Sequence, residues 1–169
     1  MKETMGLDLF DQISNASAIC IPTNCSILDG VNPMGACAGE AARRWEELPN
    51  IYADLLSMCG AVPVILGHVN KQDTERFYSI LDTGGVEGEC AIVAYPTMYE
   101  LGAPATYELV ERSAALLVEL TDANQWEDVY LAAPGIGVGG LAYESAFPLA
   151  SVKSILENVF DDRFTVMRK

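Results

Sequence analysis

Short β-rich apolar runs alternate with helix-forming stretches along this 169-residue chain, an order that packs as helices on both faces of a sheet. Residues 16–23 read as a buried strand. Residues 62–66, 77–81, 89–95, 128–133 and 163–167 are further short runs bounded by Gly, Pro or Asp, which makes about six strands. Residues 39–48 are rich in helix formers and free of β-branched residues. Residues 103–120 carry Leu109, Val110, Leu116, Leu117 and Leu120, and Val152, Ile155, Leu156 and Val159 repeat at i, i+3, i+4 and i+7, so both stretches read as amphipathic helices. The turn Asp82-Thr83-Gly84-Gly85-Val86-Glu87-Gly88 joins two of the strands and predicts an antiparallel pair between them. The expected architecture is one α/β domain over residues 1–169, a mixed sheet between two helical layers.

Charge narrows the partners. Ten basic residues against 24 acidic ones leave a net charge of −14, which opposes the phosphate neutralisation that non-specific nucleic-acid binding needs. A small anion remains compatible, because oriented backbone N–H groups create local positive potential whatever the global charge. Five cysteines, at 20, 25, 37, 59 and 90, include no Cys-x-x-Cys pair, so the expectation is no disulfide framework, no metal site and a reduced, cytoplasmic setting. Residues 1–11 contain no apolar targeting core, and no run approaches the roughly 18 apolar residues of a membrane span. A soluble protein, monomeric or weakly oligomeric, is expected.

Two loops draw attention. Pro134-Gly135-Ile136-Gly137-Val138-Gly139-Gly140-Leu141 follows a strand and leads toward a helix; a turn so rich in glycine is either a tight connection or a cradle whose N–H groups converge on phosphate oxygens. It matches neither the Gly-x-Gly-x-x-Gly dinucleotide fingerprint nor the P-loop. Asn32-Pro33-Met34-Gly35-Ala36-Cys37-Ala38-Gly39 lies between the first clear strand and a helix, so both loops are expected at the carboxyl ends of strands, where open α/β sheets bind ligands.

Asp8-Leu9-Phe10, residues 18–24, the run from Pro33 through Gly39 to Trp45, Tyr95-Pro96-Thr97, residues 109–113, the 134–141 turn and Asp161-Asp162-Arg163-Phe164, taken in that order, closely resemble the macro-domain superfamily. The branch they resemble holds terminal ADP-ribose protein glycohydrolase and DarG-type macro domains of bacteria and phages. The resemblance covers nearly the whole chain and implies a three-layer α/β/α fold that binds ADP-ribose or a related NAD-derived nucleotide, free or attached to a macromolecule, with no cofactor. It implies that Asp8 meets the adenine amino group with Leu9 beside the ring through its backbone, that Thr23 and Asn24 lie near the distal ribose, and that Met34, Gly35, Ala36, Cys37 and Ala38 follow the ribose and diphosphate. Thr97 and residues Pro134 to Leu141 complete the implied site. Met167 stands where many macro domains stack an aromatic residue on the adenine. Asp8 read alone is an exposed cap or turn carboxylate, Asn24 a turn-shaping residue, and Met167 an ordinary packing residue.

Catalysis is left open. In the glycohydrolase that the branch contains, a Lys after the Pro-Thr strand end attacks the ribose and an acid in the glycine-rich loop assists. The matching positions here are Met98 and Gly139, and neither supplies a basic lone pair or an ionisable proton. Other candidates are Cys37, whose thiol next to backbone N–H groups is expected to have a lowered pKa, together with Asn24, Asp29 and Glu100, which could orient a water. The alternative function is thus a hydrolase that removes ADP-ribose from protein or nucleic acid, or dephosphorylates ADP-ribose-1″-phosphate. His68, the sole histidine, reads as a surface or satisfied core residue.

Overall fold

A computed structural model describes residues 1–147, 149 and 151–169. In chain order the elements are β1 (Lys2–Met5), a 3₁₀ turn (Phe10–Gln12), β2 (Ala18–Asn24), α1 (Ala36–Arg44), α2 (Leu48–Cys59), β3 (Val64–Val69), β4 (Phe77–Ser79), α3 (Ile80–Thr83), β5 (Cys90–Met98), α4 (Tyr107–Asn124), β6 (Val129–Ala132), α5 (Val152–Val159) and β7 (Phe164–Arg168).

The seven strands form one sheet in the order β1-β7-β6-β2-β5-β3-β4. β1, β7, β6, β2 and β5 run parallel, and β3 is antiparallel to both of its neighbours. The alternation of side chains along the central strands explains the three layers. In β2, Ile19 and Ile21 face one core while Ala18 and Cys20 face the other; in β5, Cys90, Ile92 and Ala94 oppose Ala91, Val93 and Tyr95. One core takes Trp45 and, from α2, Leu48, Tyr52 and Leu55. The other takes Val110, Ala114 and Leu117 of α4 and Val152 and Leu156 of α5. The helix starts are locally encoded: Thr106 and Ser151 accept N–H bonds from Leu109 and Ser154.

The structure corrects the sequence reading in four places. A seventh strand, β1, pairs at the sheet edge with β7; it is short and exposed along three of its four residues, so it carries no apolar signature. The helix expected over 39–48 is two helices, α1 ending before Trp45 and α2 starting with Pro49 in its first turn. α4 begins later than expected, at its Thr106 cap. Finally, the 82–88 segment does not close a hairpin: β3 lies between β4 and β5, and the antiparallel pairs are β3 with β4 and β3 with β5. Among the described residues no helix is long and apolar enough to cross a membrane.

Candidate functional site

The carboxyl ends of β7, β6, β2 and β5 share one edge of the sheet, and a cleft of about 700 Å³ opens there. Of the residues expected at a site, Thr23, Asn24, Gly35, Ala36, Cys37, Ala38, Thr97, Gly135, Ile136, Gly137, Val138, Gly139 and Met167 line it, and so does Met98. Asp8, Leu9, Met34, Pro134, Gly140 and Leu141 do not. The lining that sequence reading missed is Pro22, Ala132 and Ala133, the wall from Leu101 to Pro104, and the pair Arg168 and Lys169 beyond Met167. A smaller hollow of about 350 Å³ over the start of α5 is lined by Glu144, Lys153 and Glu157, but there Lys153 is already within 4.0 Å of Glu3, Glu144 and Glu157.

The two loops reach the cleft by different means. Gly35 caps α1 in extended backbone with no side-chain bond to the first-turn N–H groups, and Ala36 follows with a left-handed φ of 50°. The first-turn N–H groups of α1 thus belong to residues that line the cleft and have no side-chain cap. The glycine turn is closed on itself, Leu141 N–H donating to Gly135 O at 2.8 Å and Gly140 N–H to Gly137 O at 3.1 Å, and Ala105 N–H braces it by donating to Gly139 O at 3.3 Å. Gly135 has a φ of +75°, and a Cβ at Gly139 would come within 2.6 Å of Ala105 Cβ. At Gly35 and Gly137 a Cβ would meet nothing within 4 Å.

The polar side chains at the strand ends are largely committed. Thr23 Oγ1 bonds Tyr52 OH at 2.8 Å, and Thr97 Oγ1 donates to Thr23 O at 3.4 Å. Asn24 donates from Nδ2 to Pro33 O, and its Oδ1 accepts from Ser26 N–H and Asn32 Nδ2. Asn24 thus holds the 24–33 loop in shape, with its side-chain oxygen already shared by two donors. Asp8 Oδ1 accepts the Phe10 N–H at 2.8 Å just ahead of the 3₁₀ turn, while Leu9 is buried and Met34 packs against the core.

Several catalytic candidates fare poorly. Asp29, at a φ of 52° beside Gly30, forms the tip of a two-residue turn bridged by Leu28 and Val31, is exposed, and does not line the cleft. Glu100 is also exposed and off the cleft. The Cys37 thiol is not activated: burial, with the charges of Glu40 and Asp8, pushes it up to about 11 against a partial pull from Lys169. The lowered value expected from the helix start is reversed, with desolvation of the buried thiolate the largest cause. His68 sits within β3, takes the Val86 N–H on Nδ1 at 3.3 Å, and is shifted down by burial, so it is a neutral, satisfied sheet residue away from the cleft.

What remains is a cleft of unusual charge for so acidic a chain. Among the described residues its ionisable lining side chains are Cys37, Arg168 and Lys169, with no carboxylate or imidazole side chain. The sequence carried a signal for the two cations, since they directly follow Met167 on the strand whose end was already expected at the site.

No family model matches the chain, and no curated protein matches it in sequence. Solved structures do match. The macrodomain of Mycobacterium tuberculosis DarG superposes with a TM-score of 0.69 at 21% identity, covering 98% of this chain and 96% of that one. Thermosipho africanus DarTG in complex with ADP-ribose gives 0.71 at 13% identity over 99% of this chain and 42% of that one, and the macrodomain of Thermus aquaticus DarG gives 0.64 at 17% over 99% and 95%. With its parallel-centred seven-stranded sheet between two helical layers, the chain has the macro-domain fold.

Proposed function

We propose that this cleft binds ADP-ribose or a close NAD-derived relative, free or attached to a macromolecule, and acts as a recognition module. The observation that carries the reading is the pair of open glycines. At Gly35 and Gly137 the fold itself leaves room for a side chain, and that room lies beside the uncapped start of α1, as close approach of a diphosphate to backbone N–H groups requires. The similar Thermosipho structure holds ADP-ribose, which supports the same ligand class here.

In this reading the diphosphate lies against Gly35 to Ala38 and the glycine turn. The base is directed toward Met167, with Asp8 and the Leu9 backbone at its edge, and the distal ribose toward Asn24, Thr97 and Met98. Binding is favoured over turnover by the lining itself. Met98 offers no nucleophile, Gly139 no acid, and the Cys37 thiol stays protonated near neutral pH.

Isothermal calorimetry with ADP-ribose tests the reading. A saturable 1:1 heat, weakened about tenfold or more by Asp8→Ala in protein whose thermal unfolding is checked alongside, is the expected result. Absence of heat overturns it. Release of ADP-ribose from an ADP-ribosylated protein or oligonucleotide, or of phosphate from ADP-ribose-1″-phosphate, replaces recognition with hydrolysis.

A further inference from the structure

The cleft crosses four strand ends, a width of about 14 Å at the usual strand spacing, and its two ends differ in charge. At the β5 end the lining is Met98, Leu101, Gly102, Ala103 and Pro104, with no ionisable side chain. At the β7 end it is Met167, Arg168 and Lys169.

The two cations are not equivalent. The Arg168 guanidinium lies 4.3 Å from the Tyr143 ring centroid and 3.9 Å from both Glu3 and Glu144, so its charge is largely spoken for. Lys169 lines the cleft and, among the described residues, enters no ion pair. Its charge is felt at Cys37 in the first turn of α1, where Asp8 and Glu40 act in the opposite sense. Each of those carboxylates has a partner of its own: Asp8 takes the Phe10 N–H, and Glu40 lies 3.3 Å from Arg44.

We infer that the β7 end of the cleft selects an ADP-ribose-like nucleotide bearing an additional phosphate on its adenosine ribose, and that Lys169 is the residue that recognises it. This rests on the ligand orientation proposed above. With the base at Met167 and Asp8 and the diphosphate on α1, the adenosine ribose passes Cys37. The α1 N–H groups being taken by the diphosphate, a phosphate on that ribose then meets Lys169, a charge-assisted contact. A phosphate on the distal ribose instead meets the β5 end, where among the described lining residues no cationic side chain offsets its charge.

The test is calorimetry with three ligands, ADP-ribose, its 2′-phosphate and its 1″-phosphate, on the intact chain and on Lys169→Gln and Lys169→Arg. The 2′-phosphate is expected to bind about tenfold tighter than ADP-ribose. That ratio should collapse toward one in Lys169→Gln and persist in Lys169→Arg, while the 1″-phosphate shows no gain. A ratio near one in the unaltered chain, a ratio that survives Lys169→Gln, or an equal gain with the 1″-phosphate overturns the inference and leaves ADP-ribose recognition standing. Absence of heat with all three ligands overturns both.

Discussion

A Cβ at Gly139 would collide with Ala105 Cβ at 2.6 Å and crowd Gly135 O at 3.0 Å, whereas a Cβ at Gly35 would meet nothing within 4 Å among the described residues. Both glycines line the same cleft. The first is demanded by the protein, because the 134–141 turn must nest against the chain that leads into α4. The second is not, since Gly35 has a φ of −131°, which any residue adopts, and neighbours only open cleft. A glycine that the fold does not need is the one that the proposed ligand would require. The turn as packed has no room at Gly139 for a carboxylate-bearing side chain, since a Cβ there already lies 2.6 Å from Ala105 Cβ.

The comparison can be broken at three points. The largest effect is expected from Gly139→Asp, which would introduce an acid only by pushing the turn off Ala105. Overpacking of this kind costs about 1–3 kcal/mol, and thermal or urea unfolding should show it, with no gain of hydrolysis. An unchanged midpoint would mean that the turn yields freely and that its glycine is as optional as Gly35. Next comes Gly35→Ser. The serine hydroxyl supplies the missing α1 cap, so stability should hold or rise by a few tenths of a kcal/mol, while the same hydroxyl takes up the first-turn N–H groups and fills the open space. ADP-ribose affinity should then fall about tenfold, a split between stability and binding that a purely structural glycine would not produce. The smallest effect is expected at Ala36. Its left-handed φ of 50° strains an alanine, so Ala36→Gly should raise unfolding stability by roughly 0.5 kcal/mol once the greater freedom of the unfolded glycine is set against the relief. A clear loss would show that the Ala36 methyl makes contacts worth more than the strain.

Some of this was legible in the residues. The central strands β2 and β5, the helix stripe of α5 and both cleft loops could be read from apolar periodicity and from glycine and proline, because those signals arise within a few residues of one another. The cleft was legible to a similar depth: Gly35 to Cys37 and Gly135 to Gly139 line it at the carboxyl ends of strands, where the loop pattern put them. Long-range pairing was not. The 82–88 turn looked like a hairpin because nothing local reveals that β3 takes the place beside β5, and β1 was missed because an exposed edge strand needs no apolar pattern. Asp29 and Glu100, plausible acids by chain position, are carried away from the cleft by the exposed loops that hold them.

By itself the sequence determined the layered α/β class, the acidity that weighs against a nucleic-acid coat, and the glycines that allow a backbone to approach an anion. The tertiary structure alone decided the order of the strands, and with it which ends share an edge. It also decided that the Cys37 thiol is raised rather than lowered, and that the charged lining of an acidic chain's cleft is cationic. The physical reason is common to all three: pairing partners, desolvation and local potential depend on residues far apart in the chain that meet only when the sheet closes.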